Sequence, residues 1–408
     1  MDNSDKYKWE KKKISEFAKT HSGGTPSTTK KEYWDGNIPW INSGKLKDEI
    51  ISSPSRYITE MGLKESSAKL FPKGTTVIAL TGATTGKVGL LDFETSTNQS
   101  VVGIYPNEVL DNKLLFYQLL ALRETILGSA LGSAQPHINK KIVDELEVLV
   151  PPLQEQERIV AKLDSLFAHL EEVKIRLEKV PEILKQFRQA VLTQAVSGKL
   201  TEDWRVNVKW EECNIRDVAV MDVGFAFKSQ EFSDSGIRLL RGQNIEPGSL
   251  RWTETVYFPE EKLANFNELY INEGDVLLAM DRPIISSGLK LAIAKKEDTP
   301  SVLVQRVARF KETDKLVNKF LYYVLGSQSC INYLFSTQTG TQIPHLSGKH
   351  ILGYQFKLPP LKEQTEIVRR VESLFAKVDA IEAQYKNLKE KIDQLPQAIL
   401  AKAFRGEV

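Results

Sequence analysis

Two cysteines, Cys213 and Cys330, are all that 408 residues contain. They are too few for a disulfide framework and have no metal-ligand spacing, so both are expected to be ordinary thiols. No apolar run approaches the ~20 residues needed to span a bilayer. The charged stretch from Met1 to Lys13 lacks the apolar core of a secretion signal, which makes the cytoplasm the expected location. Histidine is equally scarce. His137 and His345 hold equivalent places, but neither has a His, Cys or carboxylate at ligand spacing, and His21, His169 and His350 are isolated. No metal site is expected.

Charge of one sign is also missing. The net charge is +2; residues 1–150 carry 19 basic and 18 acidic side chains, and residues 205–358 carry 19 and 18 again. Binding nucleic acid by phosphate neutralisation alone calls for a more basic chain, so any such role must use local patches, base contacts or a partner's charge.

Catalytic motifs are absent too. Thr81-Gly82-Ala83-Thr84-Thr85-Gly86-Lys87 has one residue too few for a phosphate loop, and Val88 stands where the magnesium-binding hydroxyl belongs. The segment is expected to be a turn between strands. There is no nucleophile elbow, zinc-protease motif, dinucleotide fingerprint, or Asn/Asp-Pro-Pro-aromatic tetrapeptide of adenine methyltransferases. The chain reads as a non-enzyme.

What is present is a repeat. Pro151 to Leu200 returns without a gap as Pro359 to Val408: Pro151-Pro152-Leu153 as Pro359-Pro360-Leu361, Glu155-Gln156 as Glu363-Gln364, and Ser165-Leu166-Phe167-Ala168 as Ser373-Leu374-Phe375-Ala376. In the first copy Ile159, Leu163, Leu166, Leu170, Val173 and Leu177 step by four and three, and the pattern continues through Val180, Leu184, Phe187 and Val191. The second copy places Ile367, Val371, Leu374, Val378, Ile381 and Tyr385 in the same register, then Leu388, Ile392, Leu395 and Ile399. An average spacing of 3.5 predicts a coiled-coil seam. Pro181 and Pro396 are the places where these helices could kink or break.

The regions between also pair. Short β-favouring runs (Thr76–Leu80, Lys87–Leu91, Val101–Tyr105) precede a helix expected from Asn112 to Leu127, and the stretch through Trp34 and Trp40 reads as aromatic loop. Asn272–Ala279 echoes Pro72–Ala79, Trp210-Glu211 echoes Trp9-Glu10, and a second helix is expected from Leu316 to Ser327. Gly132 and Pro136-His137 recur as Gly340 and Pro344-His345. The expected class is α+β: two globular α/β domains separated by two long antiparallel coiled-coil helices, with an internal pseudo-two-fold repeat. The expected boundaries are 1–150, 151–204, 205–358 and 359–408.

The helical copies resemble the central and C-terminal regions of the specificity subunit of type I restriction–modification enzymes. The carriers are Pro-Pro-Leu-Xaa-Glu-Gln, then Ile-Val and Leu-Phe-Ala, ending in Gly198-Lys199-Leu200 and Arg405-Gly406-Glu407-Val408. Gly24–Thr28, Ile38–Ile41, Ser43–Leu46, Thr85–Gly89 and Asn98-Gln99 are similar to that family's opening domain, and the second domain departs further, at Asp281-Arg282-Pro283 and Ser286–Lys290. The resemblance implies a prokaryotic DNA-recognition subunit without catalysis of its own, each target-recognition domain reading half of a bipartite, asymmetric site. It implies two methyltransferase subunits bringing S-adenosylmethionine, two restriction (motor-nuclease) subunits using ATP and magnesium, double-stranded DNA as target, and no cofactor in this chain. Polar and basic loop residues match base edges in the major groove. The DNA-binding candidates are Lys45, Thr84, Thr85, Lys87, Asn98 and Gln99, then Arg241, Gln243, Asn244, Arg282, Ser287 and Lys290. A scaffold without nucleic acid, and a methyltransferase fused to its own recognition domain, are the competing classes.

Overall fold

The computed structural model describes residues 9–130, 137–205, 208–339 and 344–408. Gly132, Pro136 and Gly340 lie outside the described residues. The chain divides into two units, one made of 1–178 with 387–408 and the other of 179–386. Each helical copy is therefore shared: its first part belongs to one unit and its last part to the other.

In the first unit the strands Thr76–Ala79, Val88–Leu91 and Val101–Ile104 lie in a five-stranded sheet, between Thr20–Ser22 at one edge and Glu49–Ile51 at the other. All three inner strands are buried along their length, so they read as continuous apolar runs rather than as alternation. Their faces still separate by the period of two. Ile78, Val88, Val102 and Ile104 pack against Leu114, Leu115 and Leu119 of the Asn112–Ala121 helix. Val77, Ala79, Leu91 and Val101 turn the other way, onto Ile41, Leu46 and Phe71. A second sheet, Arg56–Ile58, Trp34–Ile41, Thr95–Thr97 and Leu70–Phe71, covers that side.

The Trp34–Trp40 stretch is thus a strand and not the loop its composition suggests. Asp35-Gly36-Asn37 is a turn-forming triplet absorbed within it: the register against Arg56–Ile58 shifts between Trp34 and Ile38, and Asp35 takes a φ of 60°. The expected helix at 112–127 is two pieces, Asn112–Ala121 and Arg123–Gly128, divided at Leu122.

The second unit repeats the plan. Val276–Ala279 sits between Val307–Lys311 and Leu291–Ile293, and Ile237–Leu240 pairs in parallel with Ser301–Leu303 as Trp34–Ile41 does with Thr95–Thr97. Both units close their base with an antiparallel pair, Glu10–Lys13 with Glu147–Val150 and Glu211–Asn214 with Gln355–Leu358. The expected helix at 316–327 is Asn318–Leu325, followed by Gln328–Thr337, which buries Cys330 and Leu334 one turn apart. Cys330 is buried in this core, Cys213 is half-buried, both are free, and burial pushes the Cys213 thiol up to about 11.

The first helical copy forms Leu153–Glu178 and Val180–Ser197. Pro181 falls in the first turn of the latter, where its missing N–H costs nothing, so the interruption is confined to Lys179. Gly198 ends the segment with a left-handed φ of 82°. The second copy runs unbroken from Leu361 to Ala403 through Pro396. Of the seam residues, Ile159, Leu163, Leu170, Ile367, Val371 and Val378 are buried; Leu166, Leu177, Leu374 and Tyr385 are half-buried; Val173 and Ile381 are exposed. The stripe is covered where each helix starts against its own domain and thins towards its middle.

Two repeated polar residues explain how helix and domain are joined. Gln156 donates from Nε2 to the Val109 and Pro151 carbonyls, at 3.0 and 2.8 Å, and its Oε1 accepts from the Asp111 N–H at 2.7 Å. Gln364 repeats the clamp on Lys315 and Pro359, at 2.9 and 2.9 Å, and on the Val317 N–H at 2.8 Å. Each buried amide satisfies the main chain just before the domain's helix. Gln364→Ala should cost about 2 kcal/mol by leaving those groups unpaired, read as a lower urea midpoint. A midpoint equal to wild type would show that water replaces the amide.

Candidate nucleic-acid interface

One end of each unit is built by the same main-chain hydrogen bonds. In the first unit the N–H of Gly23 donates to the Val101 carbonyl at 2.9 Å, that of Gly24 to Thr97 at 2.8 Å, and that of Asn98 to Ile41 at 3.0 Å. Leu80 donates to Ser100 at 2.8 Å, and Ile138 to Leu80 at 2.9 Å. In the second unit Gly224 donates to Val307 at 3.3 Å, Phe225 to Leu303 at 3.3 Å, and Val304 to Leu240 at 3.1 Å. Met280 donates to Arg306 at 2.8 Å, and Leu346 to Met280 at 2.8 Å. These bonds equate Gly24 with Phe225, Asn98 with Val304, Gln99 with Gln305, and Ser100 with Arg306. Glycine at 23 and 224 is a steric requirement: a Cβ there would stand 2.0 Å from Thr97 Oγ1 or 2.3 Å from the Val304 carbonyl oxygen.

Around this tie the first unit gathers its candidates. Ser43–Lys45 is a 3-10 turn following the Trp34–Ile41 strand, and Gly82–Thr84 is a second one beside it, in the hairpin between Thr76–Ala79 and Val88–Leu91. Thr85 is buried and donates its hydroxyl to the Gly82 carbonyl at 2.7 Å, so it shapes the hairpin turn. Thr84 and Lys87 are half-buried, and Lys45 donates to Ser53 Oγ at 3.0 Å. Gln99 is exposed and accepts from the Thr25 hydroxyl. Among the described residues, Asn98 Oδ1 is buried with no hydrogen-bond partner.

In the second unit Gly242–Asn244 is the 3-10 turn that answers Ser43–Lys45, and Lys290 answers Lys87, its carbonyl accepting from the Ala279 N–H at 3.0 Å as Lys87 does from Ala79 at 2.8 Å. Asn244 is buried and spends its amide on the Arg251 carbonyl at 3.0 Å and the Arg241 N–H at 3.1 Å. Arg241 donates to the Glu254 carbonyl at 2.6 Å, and Gln243 to the Glu254 carboxylate at 3.1 Å. The turn here, where the sequence departs from the first domain, carries its own small hairpin, Ile284–Ile285 with Gly288–Leu289. Arg282 and Ser287 are exposed on it, whereas Lys290 is buried and desolvation pulls its ammonium below the ordinary lysine value. The twelve candidates therefore form one group in each unit, with Thr85, Asn244 and Lys290 turned inward.

Phe225, Gln305 and Arg306 belong to the same end and are not among those candidates. Gln305 and Arg306 are exposed, and so is Phe225, at 47%. Their signal in the sequence is faint: Gly23-Gly24 and Gly224-Phe225 share one glycine, and Asn98-Gln99-Ser100-Val101 shares glutamine and valine with Val304-Gln305-Arg306-Val307.

Similarity to known proteins follows the same division. The family described as type I restriction modification DNA specificity domain matches residues 6–180 and again 207–390. The chain belongs to this family. Each match takes in one domain and the first part of the helix that follows it. The specificity subunit of the type I restriction enzyme MjaVIII from Methanocaldococcus jannaschii is 28% identical over 407 residues, covering 98% of this chain and 93% of that one. That of EcoKI from Escherichia coli K12 is 30% identical over 388 residues, covering 92% and 83%. Among solved structures, the HsdS subunit from Thermoanaerobacter tengcongensis aligns with a TM-score of 0.67 at 18% identity over all of both chains. A chain from work on complex assembly of the type I R-M system aligns at 0.71 and 19%, covering 98% of each. At those identities the structural likeness speaks for the fold. This specificity subunit is thus a DNA-target recognition protein with two recognition domains. Among its described residues no helix is long and apolar enough to cross a membrane, and no cluster of His, Cys, Asp and Glu could hold a metal ion.

Proposed function

We propose that each domain of this specificity subunit reads one half of a bipartite, asymmetric DNA site in the major groove, across a spacer that neither domain reads. The observation that carries this is the repeated tie: one main-chain frame presents Gln99 and Ser100 in the first unit and Phe225, Gln305 and Arg306 in the second. An identical frame with unlike tips suits two unlike half-sites, because base edges are read by side chains while the frame only positions them.

The helical copies set the spacer and dock the partners in this reading. Within the second unit Arg188 pairs with Asp379 and Glu382, at 2.6 and 3.4 Å, and Arg370 with Asp203, just past the end of the first copy, at 2.6 Å, which supports opposite directions for the two copies there. That direction, with the 3.5-residue stripe, supports an antiparallel coiled coil. Two methyltransferase subunits supply S-adenosylmethionine chemistry, and two motor-nuclease subunits supply ATP- and magnesium-dependent cleavage. This chain holds none of those cofactors and acts in the cytoplasm of a prokaryote. The near-neutral charge of each domain fits an assembly in which partner subunits neutralise much of the phosphate backbone.

Mapping methylated adenines across the genome with and without this gene tests the proposal. One motif of two separated, unlike half-sites should vanish when the gene is deleted. An unchanged methylation pattern, or a single continuous motif, would refute it.

A further inference from the structure

Resting on that reading, we infer that Phe225 and Arg306 are the specificity-determining residues of the second domain, Phe225 against a thymine methyl group and Arg306 against a guanine. The position equivalent to Phe225 is Gly24, where a side chain has no room: a Cβ would stand 2.4 Å from the Ser67 main chain. In the second unit the same place holds a phenylalanine ring. It lies 4.8 Å from the Phe266 ring centroid and 5.2 Å from that of Phe227, which fix one side of it and leave the other open to solvent.

Arg306 is held close to it. Phe225 bridges Val304, and the Gln305 N–H donates to the Phe225 carbonyl at 2.9 Å. Arg306 stands on a left-handed backbone with φ 66°, a conformation disfavoured for a non-glycine residue. Its ion pair with Asp281 is loose, Nε to Oδ1 at 3.7 Å between exposed side chains, so the guanidinium is free to exchange partners. Arg282, next in sequence to Asp281, is a second arginine in this conformation among the described residues, with φ 44°. An exposed phenylalanine at the same end of the unit as exposed arginines is poorly matched to water and well matched to the major groove. There thymine presents a methyl group and guanine a pair of acceptors that arginine engages together.

Because Gln99 and Gln305 are the same residue on the same frame, they suit a feature shared by the two half-sites. The unlike pairs, Gly24 with Phe225 and Ser100 with Arg306, suit what distinguishes them.

The test uses the complete chain with its methyltransferase partner and duplexes carrying the mapped site. Each thymine of the site is replaced in turn by uracil, which lacks the methyl group, and each guanine by 7-deazaguanine, which lacks the N7 acceptor. One uracil and one deazaguanine, in the same half-site, should each weaken binding by the wild-type complex about tenfold. Phe225→Ala should lose the response to uracil and Arg306→Ala the response to deazaguanine, with responses in the other half-site unchanged. The wild-type measurements do not depend on a variant folding. A duplex series with no such position, or variants that keep the wild-type response, would overturn this assignment. The bipartite reading itself would stand while the mapped site still had two halves, and would fall only with that site.

Discussion

Arg309→Met should destabilise the second unit by about 3–5 kcal/mol, the largest effect expected of a single substitution here. Arg309 is fully buried. It donates to Asp222 at 2.6 Å and to the Tyr270 and Glu268 carbonyls at 2.5 and 2.6 Å, and lies 3.8 Å from the Asp275 carboxylate. Without the guanidinium, two carbonyls lose their donor and Asp275 is left as a buried carboxylate beside Asp222. Burial already raises the Asp275 carboxyl above its usual range, only partly offset by the Asn272 N–H and Arg309. Denaturant unfolding followed by a probe in residues 179–386 checks the prediction. Adding Asp275→Leu to Arg309→Met should recover part of the loss, since a buried ion cluster is costly to break and cheap to replace whole. The equivalent strand position in the first unit is Gly103, over which the Phe71 ring packs, so the repeat already contains the apolar solution.

Glu363→Gln should cost the same unit about 2–4 kcal/mol. The Glu363 side chain is 1% exposed and gathers Thr201 at 2.8 Å, Arg205 at 2.8 and 3.0 Å, and Trp210 Nε1 at 3.0 Å. It ties the segment that leaves the first helical copy to the start of the second. Glutamine keeps the shape but removes the charge that Arg205 needs and turns one acceptor into a donor facing donors. Burial works against the ionised carboxyl, but the hydrogen bonds from Arg205, Thr201 and Trp210 outweigh it, and the group lies below the ordinary glutamate value. A depressed carboxyl pKa contributes stability that is fully present above its unfolded value of about 4.3 and is lost as pH falls through the lower folded value. Wild type should therefore lose stability towards acid more steeply than Glu363→Gln. Parallel acid profiles would remove the charge from this account.

The sequence disclosed most where one physical signal dominated. The helical copies carry a stripe at 3.5 residues over many turns, and the inner strands are apolar runs bounded by glycine and proline, so both were legible. Pro181 was ambiguous because a proline in a first turn and one that breaks a helix look alike without the neighbouring main chain. The Trp34–Ile41 strand was hidden because Asp35-Gly36-Asn37 is strong turn chemistry that tertiary pairing overrides. At the candidate interface, loop polarity picked out Lys45, Gln99, Arg282 and Ser287, which are exposed or half-buried, but could not tell them from Thr85 and Asn244, whose polar groups serve their own turns. Phe225 was invisible to that rule, since an aromatic residue near a glycine reads as core. Its exposure is a property of the folded neighbourhood, and the equivalence with Gly24 appears only through hydrogen bonds that skip across different loop lengths.

The ties that frame the candidate interface of each unit run from main chain to main chain. Exchanging side chains at Gln99, Ser100, Gln305 or Arg306 leaves those bonds in place, whereas Gly23 and Gly224 admit no substitute. Substitution at these positions changes the solvent-facing side of the frame and leaves the contacts that hold the domain untouched. On the proposed reading of one half-site per domain, a subunit built this way acquires a new target by few substitutions without first becoming more stable, and its two domains diverge independently on one shared frame.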